Sequence, residues 1–173
     1  AVAPASYLSL ILNGGEQKAA AEPDLDTKIS ILAPLDTFTA LITAGLRNPH
    51  PSLKYSEVFA SPTDLVAAEA ESICYDVLGQ KLDGAMRAYK TQYGTLDTYP
   101  RTLPNFMTAI PEVKDFLVSG SQPLTTKIST PIYIYQGTKD PTIPRQVTDY
   151  LVATAPAGNN ITYKTDDDLA AAN

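Results

Sequence analysis

An aspartate that follows a short apolar run is the residue of this sequence best placed to do chemistry. Ile132-Tyr133-Ile134-Tyr135 is β-branched and aromatic throughout, and Gln136-Gly137-Thr138-Lys139-Asp140-Pro141 follows it. A run without a polar face is typical of a strand buried on both sides in a parallel sheet. Ligands of such sheets bind beyond the carboxyl ends of the strands, where Asp140 stands. Asp140 is therefore either a catalytic acid or a turn-forming residue, and its strand-end position and Gly137 favour the acid.

The partners that such an acid needs for serine hydrolysis are not found. The sequence contains no G-x-S-x-G nucleophile elbow. The segment most similar to that motif is Ser119-Gly120-Ser121. It precedes a proline linker, and we do not expect Ser121 to be a nucleophile. The single histidine, His50, lies between two prolines and is typical of a surface loop. We therefore expect the nucleophile and the base to lie outside this chain.

Metal and nucleotide chemistry are not predicted, and no cofactor is expected. One histidine and one cysteine, Cys74, exclude a His-based metal site, a Cys-rich zinc site and an internal disulfide. We interpret Asp166-Asp167-Asp168 as a solvated loop, because three adjacent side chains diverge. Asn13-Gly14-Gly15 lacks the spacing of a phosphate loop and is expected to turn the backbone at a pocket edge.

The elements at the two ends of the chain predict an α/β arrangement. Ala5–Leu12 has the composition of a short buried strand. The run at Ile132 and the segment Ile161–Lys164 predict two further strands. Pro144 can open a helix between them that continues through Leu151.

The middle of the chain is predicted to be mainly helical. Apolar residues recur at three- and four-residue steps from Leu25 to Ile42, with a break or kink expected at Pro34. A helix is expected from Ser61 to Gly79, and another through Leu82 and Tyr93. Short helices are predicted at Pro104–Ala109 and Pro111–Val118.

Composition limits the class of protein. The 173 residues fit one domain, or one sheet domain with an insertion, and 44% hydrophobic and 18% charged residues describe a globular chain. The net charge of −6 and the absence of a Lys/Arg run argue against nucleic acid as a partner.

The longest apolar stretch, Tyr7–Leu12, is too short for a transmembrane segment. Since the chain does not start with Met, we expect it to begin after processing or truncation.

Taken together, these segments resemble the secretory lipases of the lipase A type, within the α/β-hydrolase superfamily. Thr130–Pro144 carries the most specific match, a Q-G-T-x-D-x-x-I/V-P pattern. The resemblance covers nearly the whole chain, but only the later portion of such an enzyme. It implies a partial α/β-hydrolase parallel sheet, formed by residues 1–17 and 126–173, with a mainly helical cap inserted at 18–125.

The resemblance also implies roles for particular residues. Asp140 would be the catalytic acid, with the nucleophile before Ala1 and the histidine just beyond Asn173. Many relatives have a second cysteine in the helix after the acid, but Val152–Ala157 has none, so Cys74 is expected to be a free, buried thiol. The candidates for a substrate pocket in the cap, each of which fits the cap core better, are Phe38, Ile42, Phe59, Met86, Phe106 and Met107.

The function implied is a serine carboxylic-ester hydrolase, a lipase or esterase that is secreted or periplasmic. The substrate would be a small-molecule or lipid ester, and this chain alone is expected to be inactive. Two alternatives stay open: a carboxylesterase for bulky non-lipid esters, and a non-catalytic binding module that has lost the triad. The sequence does not fix an oligomeric state.

Overall fold

The computed structural model describes residues 6–140 and 142–167, so Pro141 of the signature and Asp168 of the acidic run lie outside the described residues. The chain divides into two compact units. The helical unit is Leu12–Lys114, and the sheet unit combines Ala1–Ile11 with Asp115–Asn173. The helical unit is thus a continuous insertion between two parts of the sheet unit. The sequence-based limits of the insertion, 18–125, stay a prediction.

The first element is a helix, α1 (Leu8–Ala21), and the strand expected over Ala5–Leu12 is wrong where the structure describes it. A short apolar run fits a strand or a buried helix equally well, and here the strong helix formers Glu16–Ala21 follow it. Asn13-Gly14-Gly15 lies inside α1 and forms no turn. A Cβ on Gly15 would meet Leu35 at 2.7 Å, so this glycine allows close helix contact.

The second helix, α2 (Leu25–Arg47), continues through Pro34, and the break considered there does not occur. Proline inside a helix costs ~3 kcal/mol. Residues on both sides of it, Ile29 and Leu35, are buried in the same core, which offsets that cost. By length and composition alone α2 could cross a membrane, but 56% of its most apolar stretch is buried within the protein. That is the environment of a core helix.

Short helices and turns connect α2 to a long partner helix. They are α3 (Tyr55–Val58), α4 (Thr63–Ala67) and a 3-10 turn (Ala68–Glu71), followed by α5 (Tyr75–Tyr93). The single helix expected from Ser61 to Gly79 is therefore wrong. Cys74 is free but exposed, not buried, because it lies at the N-cap of α5 and not on its inward face.

The helix predicted through Leu82 and Tyr93 is confirmed but begins earlier, at Tyr75, and its inward face packs against α2. Leu78, Leu82 and Met86 are fully buried, and Gly94 ends the helix in the left-handed conformation at φ 71°. Two short helices, α6 (Phe106–Ala109) and α7 (Pro111–Asp115), follow, and the chain then makes a π-helical turn at Phe116–Gly120.

The sheet unit contains a strand–helix–strand segment, which confirms that part of the prediction. Strands β1 (Ile132–Gly137) and β2 (Ile161–Asp166) pair in parallel, with Ile132 opposite Ile161, and α8 (Arg145–Thr154) connects them. Burial of β1 on both sides is wrong: Ile134 is 2% exposed, but Tyr133 is 55% exposed. In the described residues the sheet has only two strands, and α8 packs on the face that carries Ile134. The described part of the chain is thus mainly helical with one small parallel sheet, and assignment to the α/β-hydrolase class stays a prediction.

Candidate catalytic-acid loop

Asp140 directly follows the turn Thr138–Lys139 that ends β1, and its side chain organises the loop that follows. Its Oδ1 accepts hydrogen bonds from the backbone N–H groups of Thr142 and Ile143, both at 2.9 Å. The turn-forming role considered from the sequence is therefore present. Oδ2 makes no hydrogen bond to the described residues, and the side chain is only partly exposed. One carboxylate oxygen is fixed, and the other can accept a further N–H donor.

The fully buried side chain of Gln136 holds the base of this loop. Its Nε2 donates to the carbonyl oxygens of Gly137 and Ile143, each at 3.0 Å. Its Oε1 accepts from the hydroxyl of Thr148 on α8, at 2.5 Å. The amide thus connects the end of β1, the Asp140 loop and the first turn of α8. Strand alternation places Gln136 on the same face as Ile134, a signal that sequence reasoning could have used but missed.

A second set of contacts joins the exits of the two strands. The backbone N–H of Thr138 donates to the carbonyl oxygen of Asp166 at 3.0 Å, and its hydroxyl donates to Oδ1 of Asp167 at 2.8 Å. The chain leaving β2 therefore runs beside the segment that leads to Asp140. Asp167, the described residue that follows β2, therefore lies at the edge of the sheet from which the Asp140 loop begins.

Helix α8 is further fixed to the sheet by Tyr163 on β2. Its hydroxyl donates to Oδ1 of Asp149 at 2.7 Å. Burial and the neighbouring Asp149 carboxylate raise the pKa of Tyr163 to about 12, so it stays a neutral donor. The support beneath the Asp140 loop therefore has two independent side-chain hydrogen bonds to α8.

The other residues considered for catalysis, His50 and Ser121, are not part of the Asp140 loop. His50 belongs to the helical unit, where its backbone N–H donates to the carbonyl oxygen of Leu46 at 3.0 Å. Ser121 follows the π-helical turn, and its hydroxyl is 3.4 Å from the carbonyl oxygen of Leu117. Neither side chain forms a nucleophile–base pair with the described residues. Among those residues, no group of three or more His, Cys, Asp or Glu side chains could hold a metal ion.

The six pocket candidates belong to the helical unit, whereas Asp140 belongs to the sheet unit. Phe59, Met86 and Phe106 are buried in the core of the helical unit. Phe38, Ile42 and Met107 are partly exposed, and the ring of Phe38 lies 5.3 Å from that of Tyr75. Tyr75 also lines a cleft of about 540 Å³ between α2 and α5, which none of the six lines.

Comparisons with known proteins give no support from similarity. No family model, no curated protein and no solved structure matches the chain.

Proposed function

We propose that this chain is the cap and acid-bearing part of a serine carboxylic-ester hydrolase, a lipase or esterase. The position of Asp140 carries the proposal: a carboxylate that follows a parallel strand, with one oxygen fixed and the other able to accept a donor. An acid that orients a histidine needs this combination of rigidity and one unused acceptor.

In the proposed mechanism a serine attacks the ester carbonyl while a histidine takes its proton. Asp140 accepts a hydrogen bond from the imidazole N–H, which fixes the tautomer and stabilises the imidazolium as it forms. The serine and histidine belong to parts of the complete protein outside these 173 residues. The contact between Thr138 and Asp167 supports this arrangement, since it holds the residue after β2 beside the segment that leads to Asp140.

The order of the two units along the chain also supports the proposal, because the helical unit interrupts the sheet unit in sequence. The helical unit is a continuous segment, Leu12–Lys114, and the sheet unit takes chain from both sides of it. A helical insertion of this kind can form a cap that supplies an apolar pocket for the acyl or alcohol chain. Such a cap would move to admit the substrate.

The test is Asp140→Asn in the complete protein, assayed with p-nitrophenyl esters. Loss of a triad acid costs ~10⁴ in turnover in serine proteases, and we expect a fall of the same order with an unchanged fold. Asp115→Asn is the matched control, because its exposed carboxylate makes no hydrogen bond to the described residues. Near-native turnover of the Asp140 variant would remove this residue from the mechanism. A complete protein without esterase activity would instead favour a non-catalytic binding module.

A further inference from the structure

The side chain of Gln136 is fully buried, and its amide nitrogen and oxygen both make hydrogen bonds. Apolar residues of the same two elements, Ile134 on β1 and Val147 and Leu151 on α8, are also buried, at 2%, 8% and 2% exposure. An unpaired amide would be costly there, and a methionine of similar volume would fill the space without polar atoms. Packing alone therefore does not explain a glutamine at this position.

The amide completes a series of hydrogen bonds that runs from α8 to the Asp140 carboxylate, which we call the path. Thr148 donates to Gln136, and Gln136 donates to the carbonyl oxygen of Ile143. The N–H of the same Ile143 donates to Oδ1 of Asp140. One residue of the loop is thus held from both ends, by the buried amide at its carbonyl and by the catalytic-acid candidate at its N–H.

We propose that Gln136 and Thr148 are positioning residues that set the orientation of the Asp140 carboxylate. The proposal rests on the proposed function for its catalytic meaning, but the path itself can be measured in this chain. Positioning matters because a small displacement of a catalytic group lowers turnover strongly. Neither residue would touch the substrate, so their effect would pass entirely through Asp140.

The first experiment uses NMR on the 173-residue chain. In Gln136→Met we expect the Ile143 amide to exchange with solvent at least tenfold faster. The carboxyl carbon signal of Asp140 should also move, because its carboxylate loses an ordered N–H donor. Tyr163→Phe is the matched control, since it removes the other hydrogen bond to α8 and leaves Ile143 untouched. Unchanged Ile143 exchange and an unchanged Asp140 signal in folded Gln136→Met would overturn the proposal.

A milder variant keeps the test valid if Gln136→Met does not fold. Thr148→Val removes one donor at constant shape, and we expect a smaller acceleration of Ile143 exchange, about threefold. No acceleration in Thr148→Val, with Gln136→Met unfolded, would likewise overturn the proposal.

The second experiment is a double-mutant cycle in the complete protein. Gln136→Met should lower kcat at least tenfold with little change in KM, and should have no further effect when combined with Asp140→Asn. An equal loss of kcat in both backgrounds would indicate a structural role and contradict positioning. If neither single variant changes turnover, the proposed function fails, while the NMR result still decides whether the path holds the loop.

Discussion

Arg101 donates two hydrogen bonds to the fully buried carboxylate of Asp36, from Nε at 3.1 Å and from Nη2 at 2.6 Å. The same guanidinium donates to both carboxylate oxygens of Glu16, at 3.0 and 2.8 Å. This ion-pair network connects α1, α2 and the loop before α6. Burial disfavours the Arg101 cation, but the two carboxylates outweigh that effect and raise its pKa, so Arg101 stays charged.

The stability of the protein should depend on the ionisation of Asp36. Burial raises the pKa of Asp36 to about 6, against the opposing effect of Arg101. In the unfolded chain the carboxyl releases its proton near pH ~3.9, so between about pH 4 and pH 6 the folded state binds more protons. The contribution of Asp36 to the free energy of unfolding therefore falls as pH rises through this window, by up to ~3 kcal/mol.

Urea denaturation at several pH values, compared with Asp36→Asn, measures this contribution. The difference in free energy of unfolding between the two proteins should change from about pH 4 to pH 6 and level off above it. A difference that does not vary with pH would show that Asp36 titrates alike in both states.

Removing Arg101 should destabilise the helical unit. In Arg101→Met the Asp36 carboxylate is left buried without a partner, which we expect to cost ~3–5 kcal/mol in the free energy of unfolding. Asp36→Leu combined with Arg101→Met should recover most of the loss, because the pair is then replaced by apolar side chains.

The matched control for Arg101→Met is Arg87→Met. Arg87 pairs with Asp83 and Asp26, but its side chain is 43% exposed. Loss of these solvent-screened surface pairs should destabilise the protein much less than loss of the buried pair. Equal effects of the two arginine variants in chemical denaturation would contradict a special role for the buried pair.

Two adjacent glycines of α1 should respond differently to alanine. A Cβ added at Gly14 would have no neighbouring atom within 4 Å, and Gly14→Ala should stabilise the helix by ~0.5–1 kcal/mol. At Gly15 the new methyl group would have to displace the buried side chain of Leu35, which removes that gain or reverses it. Thermal or urea denaturation of both variants measures whether Gly14→Ala is the more stable of the two. A larger gain for Gly15→Ala would contradict the close approach of α1 to α2.

The ester profile of the complete protein should separate the two enzyme alternatives. If the cap supplies an apolar acyl pocket, kcat/KM should rise by roughly fourfold for each buried methylene from p-nitrophenyl butyrate to octanoate. A strong preference for acetate would contradict a lipase and leave an esterase for other esters. Asp140→Asn should lower all of these rates alike, since in the proposed mechanism Asp140 acts through the histidine and not on the acyl chain.

Local sequence signals predicted several elements because their causes are local. Gly94 ends α5 since a left-handed residue is needed there, and the strand–helix–strand order from Ile132 to Asp166 follows from composition and Pro144. The location of Asp140 just after a strand was predicted in the same way. Its catalytic role stays a prediction.

Features that depend on contacts between residues distant in sequence were determined by the tertiary structure. The run Leu8–Leu12 is compatible with a strand or a helix, and the helix forms where no strand of the described chain pairs with it. Exposure of Cys74 depends on where α5 begins, and the network of Asp36 depends on a guanidinium 65 residues away. The function of Gln136 likewise emerges only when Ile143 and Thr148 are brought to it, because burial and hydrogen bonding are properties of the folded neighbourhood.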